Sequence, residues 1–549
     1  MILMGNEAIV RGALEAGVQF VSTYPGTPSS EIGNIFFRIS EKLRIYFEFS
    51  INEKLALEAA VGASFSGLKC LVAMKNFGLN VCSDALAPFL YTGSKGATVI
   101  ITADDPSCHS SAQSEENSRP FSYLAHLPTL EPATPQECKD FVKLAFQISE
   151  KFQTPVLIRN TTRVSHQRGV VKLSKMELTR PNLVEGKFIK DTRRFVTLPP
   201  RVLEMKKELL EKIEKIRTFI ETSPINQLVQ RRASDSLNLG IITSGVSYLY
   251  VREALKELNL DLPVLKLGFF YPLPEKKIKN FIKKLKKVLI VEELEPFLEK
   301  EVQGLAKEAN CKIEITGKNL LPEVGELRPE IVTAAIAKFA GKKFKLPTTN
   351  YQPKTNRRSP QFCPGCPYWL VVAAIKKALR LGSGQTLRPD SGQATEVIFG
   401  GDIGCYMLLG MPQFGLQDYL SCMGSSLGIA HGIKKVSKQK LITFIGDSTF
   451  FHAGLPALAN IIFNKSNPLV IILENQTTAM TGHQPHPSAK SVLKPIKIED
   501  ICRALGVNNL AVLDPANQDE FGQKIREFLQ KDEVAVIIVR KPCIFVKDK

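Results

Sequence analysis

Two apolar runs near the end of the chain constrain its fold more than any other feature. "LITFI" (441–445) breaks into "GDSTFFHAG" (446–454) and then an apolar helical stretch (455–463), and "PLVIILEN" (468–475) ends on Asn475. Short, continuous β-branched runs that stop at turn residues and lead into helical periodicity are strands buried on both faces, the signature of parallel sheets. The same pattern recurs in "KCLVAMKN" (69–76), "ATVIITADD" (97–105), "TPVLIRN" (154–160), "LGIITSG" (239–245), "VLKLGFF" (264–270) and "KVLIVEE" (287–293), and again in "EVIFGGD" (396–402), "NLAVLDP" (509–515) and "EVAVIIVRKP" (533–542). At 549 residues the chain exceeds one core, so an α/β protein of several parallel-sheet domains is expected.

Polar, aperiodic stretches set the expected boundaries. A first unit spans 1–165. Residues 166–235 hold a linker and an amphipathic helix over 202–220, and a second α/β unit spans 236–340. Residues 341–362, polar and Pro-bearing, read as a second linker, and the last unit is 363–549.

Composition narrows the class. With 44% hydrophobic and 23% charged residues the chain reads as soluble and globular, and charges interrupt every apolar run before it reaches membrane-spanning length. The N-terminus "MILMGNEAIVRG" has neither a basic region nor an extended apolar core, so a cytoplasmic protein is expected. The net charge of +18 raises nucleic acid as a partner, but the basic residues are not interleaved with aromatics. The densest run, 275–290, sets Ile278, Phe281, Ile282 and Leu285 on one helical face and lysines on the other, a solvated surface helix or a dock for an acidic protein. Neither nucleic acid nor membrane is expected as a partner. Eleven cysteines in such a chain do not suggest a disulfide framework.

The chemistry gathers at strand ends, where parallel sheets bind ligands. Asp447 and Asn475 close two such strands; with the Thr477 carbonyl they form a hard-oxygen set suited to Mg²⁺ in the company of phosphate. Gly446 and Ser448 are small enough for a diphosphate to approach the backbone. The pair at this spacing, followed by "TAMTGHQPHP" (478–487), resembles the thiamine diphosphate signature. That cofactor needs a buried glutamate against its aminopyrimidine ring. Glu53 opens the Ala- and Gly-rich helix of "NEKLALEAAVGASFSG" (52–67) and is preferred to the mid-helix Glu58. "YPGTPSSEI" (24–32) is either a turn with Ser29 or Ser30 as N-cap, or a place where Thr27 and helix N-terminal amides take a substrate carboxylate.

"GNEAIVRGALEAGV", "YPGTPSSE", "NEKLALEAA", "FGLNV", "ADDPSCHSS", "FCPGCP", "GGDIGCYML" and "GDSTFF…TTAMTGHQPHP", spread over nearly the whole chain, together resemble indolepyruvate ferredoxin oxidoreductase, α (large) subunit. The resemblance implies two thiamine diphosphate-binding domains, pyrimidine-binding first and diphosphate-binding last, flanking a transketolase C-terminal-like α/β domain. It further implies oxidative decarboxylation of an aryl 2-oxoacid with coenzyme A, and transfer of electrons to ferredoxin. The partners would be a smaller β subunit and ferredoxin or a ferredoxin-like subunit, in an α₂β₂-like hetero-oligomer. Gly404, Gly446, Asp447, Ser448, Asn475 and Thr477 would hold thiamine diphosphate and Mg²⁺. Glu53 and His483 would be catalytic, and Thr27 and Arg119 would bind substrate.

Two departures stand out. The family's Cys-rich ferredoxin-like run is absent from these residues, so electrons are expected to leave another way. Asn76 stands where a His is expected after Met-Lys. Cys363, Cys366, Cys405 and Cys543 are candidates for a [4Fe–4S] cluster beside the cofactor, with structural thiols or Zn²⁺ as the alternatives. His452, His483 and His486 flank the inferred cofactor loop, His431 reads as a helix residue, and His109 lies with Gln113 and Arg119 on a loop. A non-redox thiamine decarboxylase and a non-catalytic scaffold subunit are the rival readings.

Overall fold

A computed structural model describes residues 1–111, 113–176, 185–229, 238–344, 361–379 and 397–546. The chain divides into two compact units, Met1–Gln352 and Pro353–Lys549. Of the expected linkers, 345–360 and parts of 166–235 lie outside the described residues.

In the first unit a seven-stranded sheet runs in the order Phe269–Tyr271, Thr129–Leu130, Val156–Thr161, Thr98–Asp104, Cys70–Lys75, Phe20–Thr23, Tyr46–Phe49. Its pairings are parallel except the first. The strands that read as continuous apolar runs are the fully buried ones, Val99, Ile100, Leu71 and Ile158 among them. Helix Gly5–Glu15 crosses helix Pro135–Phe152 closely because Gly12 has no side chain, and a Cβ there would stand 2.4 Å from the Lys139 carbonyl.

A second sheet in the same unit has five strands, Glu314–Thr316, Lys287–Val291, Leu239–Ser244, Val264–Leu267 and Gln227–Val229, with only the last antiparallel. The stretch "VLKLGFF", expected as one strand, is two. Gly268 ends the strand Val264–Leu267, and Phe269–Tyr271 crosses to pair with Thr129–Leu130 of the first sheet. Periodicity cannot reveal such a transfer, since both pieces are equally apolar. Helix Arg201–Ile220 is joined to the first sheet's core through Leu209, Ile213, Ile216 and Ile220, spaced at helical intervals. Strand Arg168–Val170, in a stretch read from sequence as linker, pairs antiparallel with Ile2–Met4. The lysine-rich segment forms helix Glu275–Ile282, burying Ile278 and Ile282.

The second unit is a five-stranded, wholly parallel sheet in the order Val397–Gly400, Lys440–Gly446, Leu469–Glu474, Ala535–Arg540, Asn509–Leu513. Alternate residues fill two cores, Phe444 and Ile471 on one face, Ile445 and Ile472 on the other. With both faces covered, its ligand-accessible edge is the carboxyl end of the strands.

Candidate active site

That edge carries the second unit's polar residues. The strands ending at Gly446 and Glu474 are hydrogen-bonded neighbours, with Gly446 opposite Leu473, so Asp447 and Asn475 leave the sheet side by side. Asp447 is buried, and each carboxylate oxygen accepts one backbone amide, Oδ1 from Ser448 (2.8 Å) and Oδ2 from Gln476 (2.7 Å). Gln476 adopts φ 65°, a left-handed conformation that turns the loop back around Asp447. Asn475 Oδ1 accepts from the Thr477 amide (3.0 Å), and its Nδ2 donates to the buried Tyr368 hydroxyl (2.9 Å). Thr478 closes the loop by donating to Ser448 Oγ at 3.0 Å. Both oxygens of Asp447 and the Asn475 carbonyl keep lone pairs after these bonds. Gln476 Oε1 is buried with no partner among the described residues. A hard cation with phosphate oxygens fits this donor set.

Several neighbours differ from the sequence expectation. His486, not His483, is the buried imidazole beside the carboxylate, its Nε2 3.2 Å from Asp447 Oδ2. His483 is exposed and packs on Phe545 with ring centroids 5.8 Å apart. Gly404 and Gly446 both lie against the ring of Tyr406, where a Cβ would stand 2.4 and 2.7 Å from Cε1; at Gly404, φ 153° adds a backbone reason for glycine. His452 is buried in the turn after Thr449, and His431 shares a hydrogen bond with Ser466 at 2.8 Å. Asp402, which the sequence did not single out, accepts from the amides of Ile403, Gly424 and Ser426 and fixes the start of helix Ser425–Val436 to the strand end. Its signal was the Gly-Asp at a strand end, the same one that marks Asp447.

Cys363, Cys366, Cys405 and Cys543 come into one neighbourhood. Burial pushes the Cys405 thiol up to about 11, and Cys366, Cys543 and Cys363 add to the shift. Cys366 is likewise raised to about 11, by burial first and then by Cys363 and Cys543. The Cys543 amide donates to the Asn475 carbonyl at 3.0 Å, which places the thiols beside the Asp447 loop. Among the described residues, no three His, Cys, Asp or Glu side chains converge closely enough to hold a single metal ion.

In the first unit Glu53 is buried at the start of helix Glu53–Phe65, whose N-cap Asn52 accepts from the Leu55 amide at 2.9 Å. Room for it comes from Gly78 on the adjacent helix, since a Cβ there would lie 2.7 Å from Glu53 Cγ. Thr27 follows the turn after strand Phe20–Thr23, with its hydroxyl 3.4 Å from Ser30 Oγ at the head of helix Ser30–Leu43. Ser29 is the N-cap residue of that helix, as one of the two expected serines, but its hydroxyl donates to the Gly26 carbonyl and makes no capping bond. Asn76 is fully buried, donates to the Glu116 carbonyl and keeps an unpartnered Oδ1.

Arg119, expected at the substrate, is occupied elsewhere. Its guanidinium is 2% exposed and binds Glu131 through two bonds of 2.7 and 2.8 Å, Glu292 at 2.6 Å and Ser244 at 2.8 Å. An arginine so enclosed and paired has no fork left for a substrate carboxylate. Of the other loop residues, His109 is half exposed and 3.5 Å from Glu326.

Residues 11–221 match the family model "Pyruvate flavodoxin/ferredoxin oxidoreductase, thiamine diP-bdg", and residues 402–539 match "Thiamine pyrophosphate enzyme, C-terminal TPP binding domain". The chain is therefore a thiamine diphosphate-type α/β protein of the 2-oxoacid oxidoreductase class. It is 43% identical to "Indolepyruvate oxidoreductase subunit IorA" of Methanothermobacter marburgensis over 99% of this chain and 87% of that one. It is 40% identical to the protein of that name in Pyrococcus horikoshii over 99% of this chain and 85% of that one. The chain belongs to the indolepyruvate oxidoreductase subunit IorA family. A 2-oxoglutarate:ferredoxin oxidoreductase from Magnetococcus marinus is also similar, with TM-score 0.48 and 18% identity over 62% of this chain and 65% of that one. Among the described residues no helix is long and apolar enough to cross a membrane.

Proposed function

We propose that the chain is the large subunit of a complex that oxidatively decarboxylates an aryl 2-oxoacid of the indolepyruvate kind to its acyl-CoA and passes the electrons to ferredoxin. The observation that carries this reading is the pair of neighbouring strand ends at Asp447 and Asn475, with the Gln476 loop folded around the carboxylate. Asp447, Asn475 Oδ1 and the Thr477 carbonyl would hold Mg²⁺, and Gly446 and Ser448 would line the diphosphate. Bound thiamine diphosphate supplies a carbon nucleophile and an electron sink for loss of CO₂.

The chain's own residues do the rest. Glu53, buried at the start of its helix, would meet the cofactor's pyrimidine nitrogen. Thr27 takes the substrate carboxylate, a role for which Arg119 is not available. His483, exposed on the loop after Asn475, is the ring proposed to carry a proton. The four cysteines Cys363, Cys366, Cys405 and Cys543 would hold a [4Fe–4S] cluster, a one-electron carrier beside the cofactor. A smaller β subunit and ferredoxin complete an α₂β₂-like assembly in the cytoplasm.

The test is the complex purified without oxygen, assayed for ferredoxin reduction that depends on both indolepyruvate and coenzyme A, with iron and sulfide counted on this chain. About four of each, lost in a Cys363→Ser/Cys366→Ser variant, are expected. Background iron with CO₂ and aldehyde released in the absence of any acceptor would instead make it a non-redox decarboxylase.

A further inference from the structure

Lys75 is a cation in an unusual position. It ends strand Cys70–Lys75 at the carboxyl edge of the first sheet, beside the strand that leads into the turn 24–27. Its stem is packed under that turn: a Cβ on Gly26 would lie 2.9 Å from Lys75 Cγ and 3.1 Å from its Cβ and Cδ. The turn can therefore rest on the lysine only because residue 26 is glycine. The Lys75 ammonium donates to Ser111 Oγ at 2.9 Å and stands 4.6 Å from the centre of the Phe77 ring. The neighbouring Ser110 hydroxyl reaches the Thr27 carbonyl at 3.3 Å, so one loop touches both Lys75 and Thr27.

What the ammonium lacks is an anion. No described carboxylate lies within ion-pair distance of its Nζ. Asp105 is near enough to be felt but already committed, Oδ1 to Thr162 (2.6 Å) and Oδ2 to the Ser110 amide (2.7 Å). Burial lowers the proton affinity of Lys75, while Asp105, Glu53 and Glu116 raise it. The same couplings put Lys75 within electrostatic reach of Glu53. A half-buried ammonium that, among the described residues, makes one hydroxyl contact and one ring contact has donors to spare and its desolvation only partly offset.

We propose that Lys75 is the cation that receives the carboxylate of the 2-oxoacid, with the Thr27 hydroxyl as its second donor; this rests on the reading of the site given above. The uncharged methyl ester of the same acid has no use for the lysine, so the residue sets the preference for acid over ester.

The test uses the assembled complex with indolepyruvate as substrate and its methyl ester as a competitive inhibitor. Lys75→Met is expected to raise KM for the acid about 30-fold, the loss of one charge-assisted hydrogen bond, with kcat and the inhibition constant of the ester little changed. Lys75→Arg, which keeps the charge, is expected to keep the preference for acid over ester. An unchanged KM in Lys75→Met, or acid and ester weakened equally in both variants, would overturn the proposal. Calorimetry of thiamine diphosphate on the unmutated complex separates the two levels. If that cofactor does not bind, the reading of the site fails; if it binds and the acid–ester preference ignores Lys75, only the lysine's role fails.

Discussion

Two polar clusters occupy the same kind of place and do opposite things. Asp447 and Asn475 stand at the carboxyl ends of strands in the second unit, and Arg119, Glu131, Ser244 and Glu292 meet where strand ends of the first unit's two sheets converge. Around Asp447 the protein contributes amides and leaves oxygen lone pairs unspent. Around Arg119 most charges meet an opposite one: Arg159 binds Asp104 at 2.7 Å and Glu131 at 3.1 Å, and Glu131 is held down at about 2, burial opposing and Arg119 and Arg159 outweighing it, while Arg159 Nη2 has no partner among the described residues. Strand-end polarity in a parallel sheet marks a ligand site only where the protein has left donors or acceptors unsatisfied. Where it has paired nearly all of them, as around Arg119, the cluster is a staple.

The largest expected effect breaks the staple. Arg119→Met strands Glu131 and Glu292 in a dry interior and should cost about 3–5 kcal/mol, read as a large fall in thermal midpoint or as loss of soluble protein. A midpoint near that of the wild type would mean the network is not sealed.

A smaller effect comes from Glu293, buried in the same region and pushed up to about 7, burial outweighing Arg159. A carboxyl whose folded value exceeds its unfolded one holds its proton more tightly when folded, so stability falls as pH rises from about 4.5 to about 7. Glu293→Gln should remove that penalty, stabilising the protein above pH 7 by roughly 2 kcal/mol and by little below the unfolded value. Equal stabilisation at both ends of the range would contradict it.

The open side gives the smallest effect. Gly78→Ala sets a methyl against Glu53 Cγ and should lower turnover about tenfold by displacing the glutamate, with thiamine diphosphate still bound. Unchanged turnover would show that Glu53 tolerates the shift or is not at the cofactor.

Much of this was legible in the sequence. Continuous apolar runs located the fully buried strands of both units, and Gly-Asp at one strand end with Asn at the next marked the pair at 447 and 475. The same Gly-Asp signal stands at Asp402, whose role in fixing the helix Ser425–Val436 depends on amides that the fold brings to it. What was hidden depends on tertiary pairing. The split at Gly268 needs Thr129–Leu130 as a partner, and strand Arg168–Val170 exists because Ile2–Met4 lies beside it. Arg119 looked like a loop cation because its acids, Glu131 and Glu292, are remote in sequence or lie on another sheet. Lys75 was passed over for the converse reason, since a lysine ending a strand gives no sign that no anion will meet it. The choice between His483 and His486 turned on a single loop, where a residue's direction is set by φ values that composition does not encode.

The central claim is that the strand ends at Asp447 and Asn475 hold thiamine diphosphate through Mg²⁺. Calorimetric titration of the cofactor into the protein, with Mg²⁺ and with chelator, for wild type and Asp447→Asn tests it most directly. Tight binding that needs Mg²⁺ and weakens by roughly 100-fold or more in Asp447→Asn is expected, with the thermal midpoint of the cofactor-free protein nearly unchanged. Binding that is indifferent to Mg²⁺, or that survives the substitution, would contradict it.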